Sequence, residues 1–154
     1  MTKARDLADL GGVTTRLEEV GNTDGALSNR NMIINGAMQV AQRGTSFSAG
    51  SSNTYTLDRW IAREGDVTQS TDVPTGKGFK HSAFYDNNGV RQSICMRQII
   101  EDGNTRLDGQ DITVSFWVKT SVTTNIGVDL HDTYSSGYTL ACPANTWAYH
   151  TYTF

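Results

Sequence analysis

An excess of positive charge is missing from this chain: thirteen Lys and Arg stand against sixteen Asp and Glu, a net charge of −3 over 154 residues. A polyphosphate partner requires a basic footprint, so nucleic acid is not an expected ligand. Long apolar runs are missing too. Segments such as Met32-Ile33-Ile34 fall far short of the roughly 20 residues that a membrane-crossing helix requires, and the N-terminus lacks the charged-then-apolar profile of a secretory signal. No membrane insertion is expected. Cysteine is scarce: Cys95 and Cys142 are far apart and form no CxxC spacing. That excludes a zinc knuckle and reads as two small buried hydrophobes with free thiols, with a disulfide as the alternative.

Short motifs with a chemical mechanism are absent as well. The sequence contains no GxxxxGK[ST], no GxGxxG, no HExxH and no GxSxG. His81, His131 and His150 fall in expected strands with no serine turn to partner them. Asp58, Glu64, Asp129 and Asp132 could supply the two carboxyl groups of a glycosidase, which need about 5 to 10 Å between them, but nothing singles out a pair. Asp129 and His131 share a strand face, and two ligands do not make a metal site. The expectation is a non-enzyme with no cofactor and no metal.

What is present divides at about residue 28. Leu7, Leu10, Val13, Leu17 and Val20 recur at helical spacing, the only such stripe in the chain. Gly11-Gly12 interrupts it, and each glycine costs up to about 1 kcal/mol inside a helix, so the leader needs a partner surface to be ordered. It reads as a docking peptide or trimer seam, or else as a frayed terminus. Gly21–Ser28 is a linker by composition, which gives a leader over 1–28 and one domain over 29–154.

From Asn31 onward the pattern suits sheets, with twenty threonines in the chain and turn signals at short intervals. Asp111–Thr120 places Ile112, Val114, Phe116 and Val118 on one strand face and Thr113, Ser115, Trp117 and Lys119 on the other. Asn125–Leu130 and Tyr138–Cys142 read as a hairpin. Further strands are expected at Met32–Ile34, Ala37–Gln42, Asp58–Glu64, Val67–Gln69, Phe79–Tyr85, Val90–Ile100 and Trp147–Phe154, and an exposed loop at Gly44–Thr54. Many short strands without alternating helices predict an all-β antiparallel sandwich, jelly-roll-like, behind a short helical or extended leader. On such a fold a flat ring can stack on a sugar. Trp117, Tyr134 and Tyr138 are the carbohydrate-contact candidates, and Tyr149 shares a face with Trp147. The competing use of Trp60, Trp117 and Trp147 is to fill the space between sheets.

Asn31–Gly44 (NMIINGAMQVAQRG), Tyr55–Trp60 (YTLDRW), Arg97–Glu101 (RQIIE), Leu107–Lys119 (LDGQDITVSFWVK) and the stretch from Asn145-Thr146-Trp147 to Phe154 form an ordered series. It resembles the carbohydrate-binding-module-like β-sandwich domains of tail fibres and other virion appendages of tailed bacteriophages. Thr2–Leu10 (TKARDLADL) is similar to openings of structural proteins from phages of marine bacteria. The resemblance implies a virion location and a homotrimer. It also implies attachment to other tail or virion proteins through residues 1–28, with Leu7, Leu10, Val13, Leu17 and Val20 as anchor candidates, and a distal part facing host-surface polysaccharide. A lectin in the strict sense, and a depolymerase with an inter-subunit carboxylate pair, are the alternatives. Related domains run on for several strands past the point matched by Phe154, so further strands, or strands from a neighbouring subunit, are expected to complete the sandwich.

Overall fold

The computed structural model describes residues 31–50, 52–87, 89, 95–101, 111–130 and 136–154. The chain separates into two units after Ile34, and the strands of the described residues all lie in the second, Asn35–Phe154. The helical stripe and linker expected within residues 1–28 lie outside the described residues.

Every regular element among the described residues is a strand, and every ladder is antiparallel. In chain order they are β1 (Ser46–Ala49), β2 (Thr54–Tyr55), β3 (Ile61–Arg63), β4 (Gly65–Ser70), β5 (Ser82–Asp86), β6 (Cys95–Arg97), β7 (Thr113–Val118), β8 (Thr124–Leu130), β9 (Ser136–Cys142) and β10 (Ala148–Thr153). They form four small sheets, in the orders β1-β4-β5, β2-β3-β6, β10-β7 and β8-β9.

The expected hairpin is β8-β9, with Ile126 opposite Leu140 and Val128 opposite Tyr138. The alternation of 111–120 is seen in β7, where Thr113 and Ser115 are exposed and Val114, Phe116 and Val118 are half-buried. Two expectations are corrected. Met32–Ile34 and Ala37–Gln42 are not strands: the amides of Ile33, Val40 and Gln42 go to the side chains of Asn31, Asn35 and Asp58, and the Met38 amide closes a turn on Asn35 O. The stretch 44–54, read as a loop from its serines and glycines, instead supplies β1 and the first residue of β2. In β1, Phe47 lies opposite Val67 and Ala49 opposite Gly65, which gives the polar-looking segment an apolar inner face.

One core gathers Ala49, Leu57, Ala62 and Val67, with Met38, Ala41, Phe47, Trp60, Ala83 and Tyr85 packed against it. It joins residues of β1-β4-β5 to residues of β2-β3 and the turn between them. Tyr85 fastens these sheets, since its single hydroxyl proton is shared between the carbonyl of Arg63 and, at 3.2 Å, that of Cys95. Burial, the larger influence, pushes the Tyr85 phenol up. Gly65 is required where the Tyr85 ring crosses β4: a Cβ there would strike the ring and come within 2.7 Å of the Asp86 carbonyl.

A second group of contacts joins β7-β10 to β8-β9. Tyr138 stacks on Tyr152 at 4.0 Å and 13°, and Phe154 meets Tyr152 edge-on at 4.8 Å. Cys142 Sγ lies 3.8 Å from His150 Nε2, and Leu140 and Cys142 are buried. Both thiols, Cys95 and Cys142, are free.

Candidate functional site

Two of the sequence blocks that carry the resemblance meet in one hydrogen-bonded knot. Asn35 has a φ of 55°, a left-handed conformation that asparagine tolerates because its short side chain can bond locally. Its Nδ2 donates to Val40 O at 2.9 Å and to Asp58 O at 3.1 Å, and its Oδ1 accepts from Val40 N at 2.9 Å. Its own carbonyl accepts from Trp60 Nε1 at 3.1 Å and from Met38 N at 3.0 Å. Asp58 answers from the other block, taking Gln42 N on Oδ2 at 2.7 Å. Met38, Arg59 and Asn145 also hold positive φ, a conformation that persists only where surroundings over-determine it. For Met38 the surroundings include Gln69 Nε2, which donates to its carbonyl at 2.6 Å. Asp58 and Trp60 are thus committed to holding the turn and the core edge.

The surface with the chemistry of a ligand site lies on β7-β10. Register places Trp117 directly opposite Tyr149, with ring centroids 5.3 Å apart and a 46° tilt. Tyr149 is 55% exposed and Trp117 half-buried. The same face continues through the exposed pairs Ser115–Thr151 and Thr113–Thr153, whose last two hydroxyls lie 2.8 Å apart. At the aromatic end Lys119 pairs with Asp72, and Asp72 Oδ1 accepts from Trp147 Nε1 at 3.0 Å. The Lys119 hydrogen bond first, and that of Trp147 second, hold the Asp72 carboxyl below its ordinary value. Two ammonium groups lie over rings here, Lys119 Nζ at 5.5 Å from the Trp147 centroid and Lys77 Nζ at 5.3 Å from that of Trp117. Asp72 itself is set by short-range bonds, since its N–H donates to Ser70 Oγ at 3.1 Å and its carbonyl accepts from Ser82 Oγ at 2.6 Å. The connection between β4 and β5 therefore reaches the β7-β10 sheet through Asp72 and Lys77.

Of the candidates that the sequence pattern names, Trp117 sits on this face and Tyr138 is 44% exposed and stacked on Tyr152. Tyr134 lies outside the described residues, as do Leu7, Leu10, Val13, Leu17 and Val20. Asp72 and Lys77 carry no pattern that would single them out, whereas Lys119 shares a strand face with Trp117 and is legible on that ground. Among the carboxylates, Asp58 is held in the knot, Glu64 lies 3.8 Å from Arg63, Asp129 is exposed on β8, and Asp132 lies outside the described residues. Among the described residues no group of three or more His, Cys, Asp or Glu is arranged to hold a metal. Two shallow recesses lie elsewhere, one lined by Thr123, Thr124, Asn125, Ala141, Cys142 and Pro143, the other beside the Arg59–Glu101 ion pair. Burial pushes the Cys142 thiol up, away from the thiolate that a nucleophile needs.

In comparisons with family models, curated proteins and solved structures, nothing matches this chain.

Proposed function

We propose that the chain is a non-enzymatic structural module of a tailed-phage virion appendage, a tail fibre or related subunit. Residues 1–28 attach it to the particle, and the β-rich part forms a jelly-roll-like sandwich used for assembly or host-surface attachment. The observation that carries this reading is the convergence of two blocks of the resemblance, Asn35–Gln42 and Asp58–Trp60, in a single knot beside the core. Residues used in this way describe a scaffold. The sandwich is supported by contacts between separate sheets: Tyr138 on Tyr152, Cys142 beside His150, and Tyr85 bonded to the carbonyls of Arg63 and Cys95. A homotrimer follows from the same resemblance. Deleting residues 1–28 is expected to leave the β-type circular dichroism intact and abolish incorporation into particles; normal incorporation of the truncated chain refutes the anchoring role.

A second reading, contact with host-surface glycan, is favoured by the pairing of half-buried Trp117 with exposed Tyr149 on an otherwise hydroxylated sheet face. It predicts saturable glycan binding that is lost in Tyr149→Ala with the fold retained.

A further inference from the structure

We infer that the β7-β10 face binds a carboxylated polysaccharide, with a sugar ring stacked on Trp117 and Tyr149 and its carboxylate paired with Lys77. This rests on the glycan-contact reading and assigns its ligand class. Charge complementarity carries the choice. Among the described residues, two ammonium groups at the aromatic end of the face, Lys77 and Lys119, stand against one carboxylate, Asp72, although the chain as a whole is acidic at −3. Both oxygens of Asp72 are engaged: one takes Lys119 and the other takes Trp147 Nε1. Lys119 and Trp147 are thereby held in place, and the Asp72 charge is offset by that of Lys119, which leaves Lys77 as the net positive charge of the group. Lys77 differs from Lys119, because among the described residues its contact is the ring of Trp117 and no carboxylate pairs with it.

An exposed ammonium over a ring is weakly held. A pyranose can therefore displace Lys77 from the indole, and the displaced ammonium remains within reach of a carboxylate on that same sugar. Beyond the rings the hydroxyls of Ser115, Thr151, Thr113 and Thr153 continue along the strands. From residue 117 to residue 113 that is roughly 13 Å at the usual strand rise. A row of hydroxyls running along the strands from an aromatic end suits a chain of sugars rather than a single enclosed ring.

The test is affinity electrophoresis of the full chain in gels containing alginate, polygalacturonate or hyaluronan, each beside its carboxyl-reduced form. Retardation by at least one acidic polymer is expected, weakened about tenfold or more by carboxyl reduction, the scale of one lost charge-assisted hydrogen bond. Lys77→Gln should remove that preference while leaving the weaker binding to the reduced polymer, and Arg97→Gln, an exposed cation on β6, should change nothing. Tyr149→Ala and Trp117→Ala should lose both, with Tyr149→Ala as the safer variant because its ring is the more exposed. Equal binding of acidic and reduced polymers overturns the ligand class and leaves the glycan reading standing. Equal weakening by Arg97→Gln and Lys77→Gln shows diffuse charge attraction and overturns the site. No retardation by any polymer overturns the inference and the glycan-contact reading together.

Discussion

Replacing Asn35 separates what its side chain does from what its backbone does. Asn35→Ala removes the three side-chain bonds to Val40 and Asp58. At about 0.5–1.5 kcal/mol each, and toward the low end for the two on the solvent side, they sum to about 2 kcal/mol. Alanine at a φ of 55° adds about 1 kcal/mol of steric cost. The total, about 3 kcal/mol, is a large part of the 5–15 kcal/mol that holds a typical domain together. For a unit of this size that lowers Tm by about 10 °C, at about 3–5 °C per kcal/mol. Asn35→Gly tolerates the positive φ but loosens the unfolded chain, so it should be about 0.5 kcal/mol milder than alanine. Urea unfolding followed by near-ultraviolet circular dichroism measures both, because Trp60, whose indole donates to Asn35 O, loses its fixed surroundings with the knot. An alanine variant within about 0.5 kcal/mol of the parent, or a glycine variant as stable as the parent, refutes the assignment of stability to these bonds.

Three further outcomes follow from the geometry. Gly65→Ala forces a methyl group into the Tyr85 ring and the Asp86 carbonyl, and urea denaturation should record a loss of about 1–3 kcal/mol. Tyr85→Phe strips a donor from the carbonyls of Arg63 and Cys95 and should cost about 1–2 kcal/mol at neutral pH. Because the folded phenol is raised above its ordinary 10.0, stability is fully present below that pH and is lost as pH climbs through the folded value; Tyr85→Phe should remove this alkaline limb from a Tm-against-pH curve. Asp72 carries the opposite sign. Its carboxyl is lowered by Lys119 and then Trp147, so its contribution is present above the ordinary carboxylate range and lost as pH falls through the lowered value. Asp72→Asn should flatten that acid limb, and an unchanged acid profile with unchanged tryptophan fluorescence would remove Asp72 from its role beside Trp147.

Strand identity after residue 111 was legible because period-two alternation is a local property. Ile112, Val114, Phe116 and Val118 alternate with polar neighbours, and β7 with the residue before it buries or half-buries that set. The same alternation places β8 and β9 and their hairpin. Alternation misleads at 37–42, where the residues look strand-like but the Val40 and Gln42 amides are taken by Asn35 and Asp58 side chains. Composition misleads in the reverse direction at 46–49, whose serines look loop-like until Val67 and Gly65 are set opposite that segment.

Chain composition and periodicity thus determined the all-β class, the weak acidity and the face on which Trp117 stands, since each depends on residue type and spacing alone. Only tertiary structure decided that Asp72 meets Trp147 across 75 residues, that Tyr149 lies opposite Trp117, and that Asn35 reaches Asp58. The physical reason is that register and side-chain hydrogen bonds depend on distances between segments remote in the chain, and a local pattern carries no information about those distances.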